Sequence, residues 1–150
     1  MNVESLKKVN QWVCWDDRNG RKLPLAVNGK AASSTNPKTW TSYLNAVECS
    51  EVNGYSGVGF VFTKDDGFCG VDLDDCIDDN GVLSPSAAKI VKDLDSYTEV
   101  SPSGRGVKIF GRCNKLMKGR NRDKIEAYTH GRVFTFTGDI VGDRLDLADL

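Results

Sequence analysis

The chain has 150 residues, of which 39% are hydrophobic and 27% charged, and its formal net charge is −1. These values are ordinary for a globular protein with one hydrophobic core, so residues 1–150 are predicted to form a single domain. No apolar run is long enough to cross a membrane, and no apolar signal segment follows Met1. We therefore expect a cytoplasmic protein without a membrane partner.

Two further features of the composition bear on function. The five cysteines include no C-x-x-C pair and His130 is the one histidine, which argues against structural zinc and predicts reduced thiols. Every charged residue between positions 65 and 79 is an aspartate, whereas those between 112 and 124 are basic except Asp123. Each run alone is typical of a solvated face, but together they suit metal-assisted chemistry on a phosphate chain.

Alternating apolar and polar residues, interrupted by turn signals, predict a chain rich in strands. Strands are expected at residues 11–15, 23–27, 56–62, 69–74, 97–100, 107–110, 124–128 and 133–137. The turn signal at residues 17–20 indicates that the first two strands form a hairpin.

Two helices are predicted between these strands. The first covers residues 39–49, and the second begins at Ser84 and Pro85 and continues to about residue 94. Their expected buried residues are Trp40, Tyr43, Leu44 and Val47 in the first helix, and Ala88, Ile90, Val91 and Leu94 in the second. Residues 143–150 are expected to begin a helix or a linker. The predicted class is α+β, a mainly antiparallel sheet with a few flanking helices.

The segment at residues 70–75 carries the strongest chemical signal. Side chains alternate along a strand, so Asp72 and Asp74 lie on one face, roughly 7 Å apart, while Val71 and Leu73 point into the core. Two carboxylates at this spacing repel each other unless a cation lies between them, and oxygen ligands suit Mg²⁺ or Mn²⁺. The alternative is a pair of ordinary acidic residues at a strand end. The Asp-rich segment does not fit a calcium loop, because an alignment on Gly81 puts Cys76 at the first ligand position.

A loop with two glycines and two serines at residues 101–106 is followed by Lys108. Such loops bring backbone N–H groups close to an anion, and a lysine beyond the loop suits a triphosphate. The alternative is an ordinary β-turn with an exposed lysine. No Walker sequence occurs, which excludes a P-loop ATPase. Further along, Glu126 alternates with Ile125 on a predicted strand and is either a solvent-facing residue or a metal ligand.

In this order and spacing, three segments resemble the archaeo-eukaryotic-type primase–polymerase domains of phage, plasmid and integrated-element replication proteins. The first is Val71-Asp72-Leu73-Asp74, and the second is the Ser-Pro-Ser-Gly-x-Gly loop at residues 101–106. The third is Glu126 followed by Arg132 and by Thr137-Gly138. The similarity spans roughly residues 10–140 and implies an RRM-like core between small α/β modules.

The resemblance also implies a set of site residues. The expected catalytic and metal-binding residues, which hold Mg²⁺ or Mn²⁺, are Asp72, Asp74 and Glu126. Those expected to bind the incoming NTP or dNTP are Ser101, Ser103, Gly104, Gly106, Lys108, Arg132 and Thr137. The candidate contacts to a single-stranded DNA template and primer are Arg112, Lys115, Lys118, Arg120 and Arg122; the alternative for this basic strip is a solvated hairpin.

The implied activity is template-directed nucleotide transfer, as in a DNA primase and polymerase of a mobile genetic element. The chain departs from many relatives at Lys108, where they carry a histidine, and a lysine holds phosphate but supplies no imidazole chemistry. A non-catalytic module that binds nucleotide or DNA and recruits a helicase is therefore the main alternative. A metal-dependent nuclease is a third hypothesis. A helicase domain or protein is the expected partner, and the chain is expected to be the N-terminal part of a longer replication protein.

Overall fold

The structure is a computed structural model that describes residues 1–115, 120–122 (backbone only) and 124–150. Strands in this part of the chain are β1 (Trp12–Arg18), β2 (Arg21–Leu25), β3 (Gly57–Phe62), β4 (Phe68–Leu73), β5 (Thr98–Val100), β6 (Val107–Arg112), β7 (Arg120–Arg122), β8 (Ile125–Tyr128) and β9 (Arg132–Phe136). The α-helices are α1 (Tyr43–Asn53) and α2 (Pro85–Leu94), and short 3₁₀ helices occupy Val3–Lys8 and Pro37–Thr39.

The strands form two antiparallel sheets. The first sheet has the order β2-β1-β3-β9 and the second has the order β5-β6-β4-β8-β7. Neighbouring strands run antiparallel in both sheets. The predicted α+β class is confirmed, with two sheets in place of one, while the RRM-like description stays a prediction.

The predicted hairpin is confirmed and is tighter than expected. Strands β1 and β2 pair up to Arg18 and Arg21, which leaves a two-residue turn. Its residues Asn19 and Gly20 have φ angles of 56° and 80°. Asn and Gly tolerate this left-handed conformation, and a two-residue turn of this kind matches the twist of the paired strands.

The two sheets pack together through aromatic side chains. Trp12, Phe60 and Phe62 of the first sheet are fully buried, as is Phe110 of the second. Phe134 on β9 lies between them, with its ring centroid 5.0 Å from that of Phe62 and 5.7 Å from that of Phe110. Edge-to-face contacts of this kind add to the free energy gained by burying the rings. This aromatic core fixes the position of β9 against the second sheet.

A smaller apolar cluster covers the other face of the second sheet. Leu73, Val107 and Ile109 pack there against α2, which contributes Ala87, with Ile90 partly buried. The predicted start of α2 is confirmed, since the Ser84 hydroxyl accepts a hydrogen bond of 3.3 Å from the Ala87 N–H. Three of the four residues predicted to be buried, Ile90, Val91 and Leu94, pack against this cluster; the prediction for Ala88 is wrong, because Ala87 is buried there and Ala88 is exposed.

Other sequence predictions require correction. Helix α1 begins at Tyr43, because Ser42 caps its first turn, and the side chain of Leu44 is 76% exposed instead of buried. Trp40 precedes the helix, and its indole N–H donates to the Ser33 carbonyl at 2.6 Å. Residues 143–150 form no helix; the Leu147 N–H donates to the Met1 carbonyl at 2.7 Å. Strand β7 lies in the basic strip, where no strand was predicted.

Gly70 on β4 is required for the close packing of the two sheets. A Cβ atom at this position would overlap the Phe134 ring. Replacing Gly70 with alanine should therefore lower the free energy of unfolding by about 1–3 kcal/mol, the usual cost of overpacking a core. Urea denaturation measures this change.

The Phe134→Leu variant provides the control for this prediction. If the clash is the cause, the double variant should lose less stability than the sum of the two single losses. Additive losses, or a Gly70→Ala protein as stable as the wild type, would contradict the packing argument.

Candidate active site

Strand register brings four charged residues into one row across the second sheet. Asp72 on β4 pairs with Lys108 on β6 and with Glu126 on β8. Lys108 in turn pairs with Glu99 on β5. Residues paired in adjacent strands point to the same face, so the row Glu99, Lys108, Asp72 and Glu126 lies on one side of the sheet. Asp72 and Glu126, predicted from separate segments, are thus brought together.

The centre of the row is a buried ion pair. The Lys108 ammonium lies 3.2 Å from Asp72 Oδ2, and their side chains are only 8% and 11% exposed. The same ammonium lies 4.4 Å from the centroid of the Phe134 ring, within the range of a cation–π contact. Lys108 is therefore fixed by both sheets and is not the exposed lysine of the alternative interpretation.

Among the residues that the structure describes, Tyr128 and Arg132 hold Glu126, which is also mostly buried. The Tyr128 hydroxyl donates to Glu126 Oε2, and the Arg132 guanidinium lies 3.5 Å from the same oxygen. Arg132 also lies 4.7 Å from the centroid of the Tyr128 ring. The side chain of Glu126 is 16% exposed, which excludes the interpretation that it is a solvent-facing residue. Burial, first, and the hydrogen bond to Glu126 raise the pKa of Tyr128 to about 12, so its hydroxyl stays a donor.

Asp74 lies one residue beyond the end of β4 and is exposed. Its backbone N–H donates to the Lys124 carbonyl at 2.9 Å, which continues the pairing with the chain that leads into β8. Partial burial raises the pKa of Asp74, and the negative charges of Asp72 and Glu126 raise it further. The negative charges of the other two predicted metal ligands therefore act on Asp74.

The donor chemistry of these carboxylates fits a hard divalent cation, since it consists of oxygen atoms alone and a cation would relieve their repulsion. The side chains do not converge as they stand. Among the residues described, no group of three or more His, Cys, Asp and Glu side chains is arranged to hold a metal ion. Asp72 is engaged by Lys108, and Glu126 by Tyr128 and Arg132.

The loop at residues 101–106 binds mainly to itself and to the end of β4. The Ser101 carbonyl accepts from the Gly104 N–H at 2.9 Å, and the Ser101 hydroxyl accepts from the Gly106 N–H at 3.2 Å. The Ser103 hydroxyl accepts from the Arg105 N–H at 3.1 Å. A Cβ atom on Gly106 would lie 2.6 Å from the Leu73 carbonyl oxygen. The absence of a side chain at Gly106 thus lets the loop lie directly on the strand that carries Asp72. That the loop residues contact a phosphate stays a prediction.

Glu99 is a fully buried carboxylate that fixes the end of β9. It accepts hydrogen bonds from the Thr137 N–H at 2.8 Å, the Gly138 N–H at 3.0 Å and the Tyr97 hydroxyl at 2.9 Å. The Thr137 hydroxyl donates to the Val100 carbonyl at 2.7 Å. Thr137, predicted to bind nucleotide, thus joins β9 to β5. Sequence reasoning missed Glu99, because nothing in Tyr97-Thr98-Glu99-Val100 distinguishes a buried glutamate from an exposed one.

A cleft of about 410 Å³ opens beside the ion pair and is lined by residues from both sheets. Asp72, Lys108 and Arg132 contribute to its wall; the four predicted loop residues do not. Lys22 and Thr135 also line it, and neither was among the predicted site residues. The Thr135 hydroxyl is buried and has no hydrogen-bond partner in the described part of the chain. The sequence signal that could have identified Thr135 was its position on a strand of alternating apolar and polar residues that also carries Arg132.

The predicted DNA contacts lie away from this cleft or outside the described residues. Arg112 is four residues beyond Lys108 on β6, roughly 13 Å along the strand, and its guanidinium lies 3.0 Å from Asp149. Lys115 is exposed beyond the end of β6. Lys118 lies outside the described residues, and of Arg120 and Arg122 only the backbone, in β7, is described. Their role stays a prediction.

Comparison with known proteins gives one informative relative. The chain is 36% identical over 156 aligned positions to a DNA primase-polymerase of Nitratiruptor phage NrS-1. The alignment covers 99% of this chain and 22% of the relative, so the chain spans about a fifth of that protein's length. No profile of a known protein family matches the chain. Within the described residues, no helix is long and apolar enough to cross a membrane.

Breaking the buried ion pair should cost far more than breaking an exposed one. Lys108→Met leaves the Asp72 charge buried without its partner and should lower the free energy of unfolding by about 3–5 kcal/mol. Lys124→Met is the matched control, because Lys124 and Asp75 form a 2.7 Å ion pair whose side chains are 63% and 70% exposed. It should leave the free energy of unfolding nearly unchanged, because solvent screens an exposed pair.

Urea denaturation of the two variants and of Asp72→Asn/Lys108→Met tests this difference. The double variant, which removes both charges, should be more stable than Lys108→Met. If Lys108→Met and Lys124→Met lose the same free energy of unfolding, burial does not make the Asp72–Lys108 pair more important to stability than the surface pair.

Glu99 should make stability depend on pH in a defined direction. Burial raises the pKa of Glu99 despite hydrogen bonds that act the other way. The folded protein therefore holds this proton more tightly than the unfolded chain, so its contribution to stability is full below the ordinary glutamate pKa. That contribution falls as the pH rises through the folded-state pKa.

Glu99→Gln does not titrate and should be destabilised by about 1–3 kcal/mol near pH 4, because its amide nitrogen meets N–H donors. The stability difference between wild type and variant should shrink towards neutral pH. Free energies of unfolding measured across this range test the sign, and a difference that grows with pH would refute it.

Proposed function

Because this similarity over nearly its whole length assigns the chain to the primase–polymerase family, we propose that it is a template-directed nucleotidyltransferase. It joins nucleotides by attack of a 3′-hydroxyl on a nucleoside triphosphate. A bond forms between the hydroxyl oxygen and the α-phosphorus, and the bond from that phosphorus to pyrophosphate breaks. The similarity to a DNA primase-polymerase supports this activity for the chain.

One observation carries the proposal: Asp72, Lys108 and Arg132, from three different strands, meet at a single cleft, and Glu126 on a fourth strand adjoins them as the cross-strand neighbour of Asp72 and the ion-pair partner of Arg132. Carboxylates beside fixed cations are what polyphosphate chemistry requires, because the reacting group carries negative charge and needs both a cation and positive side chains. These residues are far apart in sequence, so their convergence is a property of the fold.

Asp72, Asp74 and Glu126 would hold the divalent cation, Mg²⁺ or Mn²⁺. When bound, such a cation neutralises charge on the triphosphate and lowers the pKa of the attacking hydroxyl. The protein's own part is positioning. Lys108 and Arg132 bind phosphate oxygens: the lysine ammonium acts as a point charge, and the arginine guanidinium acts as a planar, forked donor. Tyr128 keeps Glu126 oriented through its hydroxyl.

The single-stranded template and primer are proposed to bind through the basic strip, which includes Arg112 and Lys115. Contacts of this kind attract the phosphate backbone without reading its sequence, and they weaken as salt is raised. A helicase, in the same protein or a separate one, is the proposed partner in replication.

The buried ion pair favours one alternative. Since Lys108 already neutralises Asp72, the chain is also suited to be a non-catalytic module that binds nucleotide or DNA and recruits a helicase. This alternative predicts nucleotide binding without nucleotide incorporation. An assay of nucleotide incorporation, combined with a measurement of nucleotide binding, therefore separates the two functions.

The test is incorporation of labelled dNTPs and NTPs on primed and unprimed single-stranded DNA with Mg²⁺ or Mn²⁺. Asp74→Asn is the informative variant, because Asp74 is exposed and its loss should leave the fold intact. Incorporation should fall at least about a hundredfold, as expected when a ligand of the cation that would stabilise charge in the transition state is lost.

Asp75→Asn is the matched control. Asp75 is the next residue, is also exposed and pairs with Lys124, so the variant should keep wild-type incorporation. A folded wild-type protein that binds nucleotide but gives no product on either template would favour the recruitment module. Equal activity of the two variants would remove Asp74 from the catalytic residues.

A further inference from the structure

The cleft beside the ion pair collects three cationic side chains from three strands. Lys108 on β6 has Asp72 as its partner at 3.2 Å, and Arg132 on β9 has Glu126 at 3.5 Å. Lys22 on β2 lines the same cleft and, among the residues that the structure describes, forms no ion pair. One cation of the three therefore has its charge uncompensated by a direct contact.

Strand register directs Lys22 into the cleft. Trp15 on β1 pairs with Pro24 on β2, and both residues line the cleft. Lys22 precedes Pro24 by two positions and so lies on the same face of the strand. Its ammonium lies 5.8 Å from the centroid of the Trp15 ring. Arg21, one residue earlier, lies on the opposite face.

Lys22 is also within electrostatic reach of the other charged groups. Its pKa is lowered, first by partial burial and then by the positive charge of Lys108, while Asp72, Asp74 and its cross-strand neighbour Asp17 act in the opposite direction. The two ammonium groups thus repel each other across the cleft. An anion between them would relieve this repulsion, and a multiply charged anion would relieve it most.

A second feature of the wall also indicates a missing ligand. The Thr135 hydroxyl is buried at the cleft, and no described residue forms a hydrogen bond with it. A buried polar atom without a partner costs free energy that a bound ligand or its water can recover. The cleft therefore has both an uncompensated cation and an unsatisfied hydroxyl.

We infer that Lys22 is a further positioning residue for the polyphosphate of the incoming nucleotide, and that it makes the cleft select triphosphates over monophosphates. This inference rests on the proposed function, in which a nucleotide binds at this cleft. Lys108 and Arg132 are shared with protein carboxylates, whereas the charge of Lys22 is available to the ligand. Its position on the first sheet lets the polyphosphate bridge the two sheets.

The test compares binding of dATP and dAMP, in the presence of Mg²⁺, to wild type, Lys22→Gln and Arg21→Gln by isothermal titration calorimetry. Lys22→Gln should bind dATP about tenfold more weakly, the loss expected for one charge-assisted contact, and dAMP less than about twofold more weakly. Arg21→Gln removes a neighbouring charge from the other face and should change neither affinity. Circular dichroism and urea denaturation should show that both variants are folded.

Unchanged binding of dATP by Lys22→Gln, or equal losses for dATP and dAMP, would overturn the inference. If the wild type also incorporates nucleotides, only the role of Lys22 falls and the proposed function stands. A folded wild-type protein that neither binds dATP nor incorporates nucleotides would overturn both.

Discussion

The candidate site depends on one interaction, the buried ion pair between Asp72 and Lys108. Removing two charges from water is costly, and it is tolerated here because each charge lies against the other and because Lys108 also contacts the Phe134 ring. Any ligand that takes one partner must supply a charge for the other. A metal–polyphosphate complex would do so for both at once, since its cation suits Asp72 and its oxygens suit Lys108. In the proposed function, the pair would therefore link binding of the cation to binding of the nucleotide.

The rest of the fold holds this pair in place. Edge-to-face aromatic rings join the two sheets below it, and Gly70 allows the Phe134 ring to lie directly on β4. On one side the Gly106 contact presses a loop onto the end of β4; on the other, Glu99 fastens the end of β9 to β5. These supports are apolar contacts, backbone hydrogen bonds and a single buried carboxylate. Glu99 is the only member of the charged row among them, so Asp72, Lys108 and Glu126 are oriented without being used as supports.

Much of this architecture could be predicted from local sequence. The hairpin turn at Asn19-Gly20 and the start of α2 at Ser84 are determined by backbone and capping preferences that act over a few residues. Alternation along β4 correctly placed Asp72 on the polar face. The exposed Leu44 and the start of α1 were misjudged, because the capping hydroxyl of Ser42 determined the first turn more strongly than the apolar spacing did.

The partners across the sheets could not be predicted in this way. Strand register pairs Asp72 with Lys108 and Glu126, and the burial of Glu99 follows from contacts with residues almost forty positions away. Lys22 enters the cleft only because two sheets meet there. Such properties depend on tertiary packing, and short patterns in one sequence, taken without an alignment, do not reveal them.

Trp15 gives the cleft an optical property. Its indole forms part of the wall beneath Lys22, whereas Trp12 is fully enclosed in the aromatic core and Trp40 lies in a different cavity. The fluorescence of an indole responds to charges and polar groups placed near its ring. A ligand that enters the cleft therefore changes the emission of one tryptophan of three, and the chain carries its own reporter of occupancy without any added label.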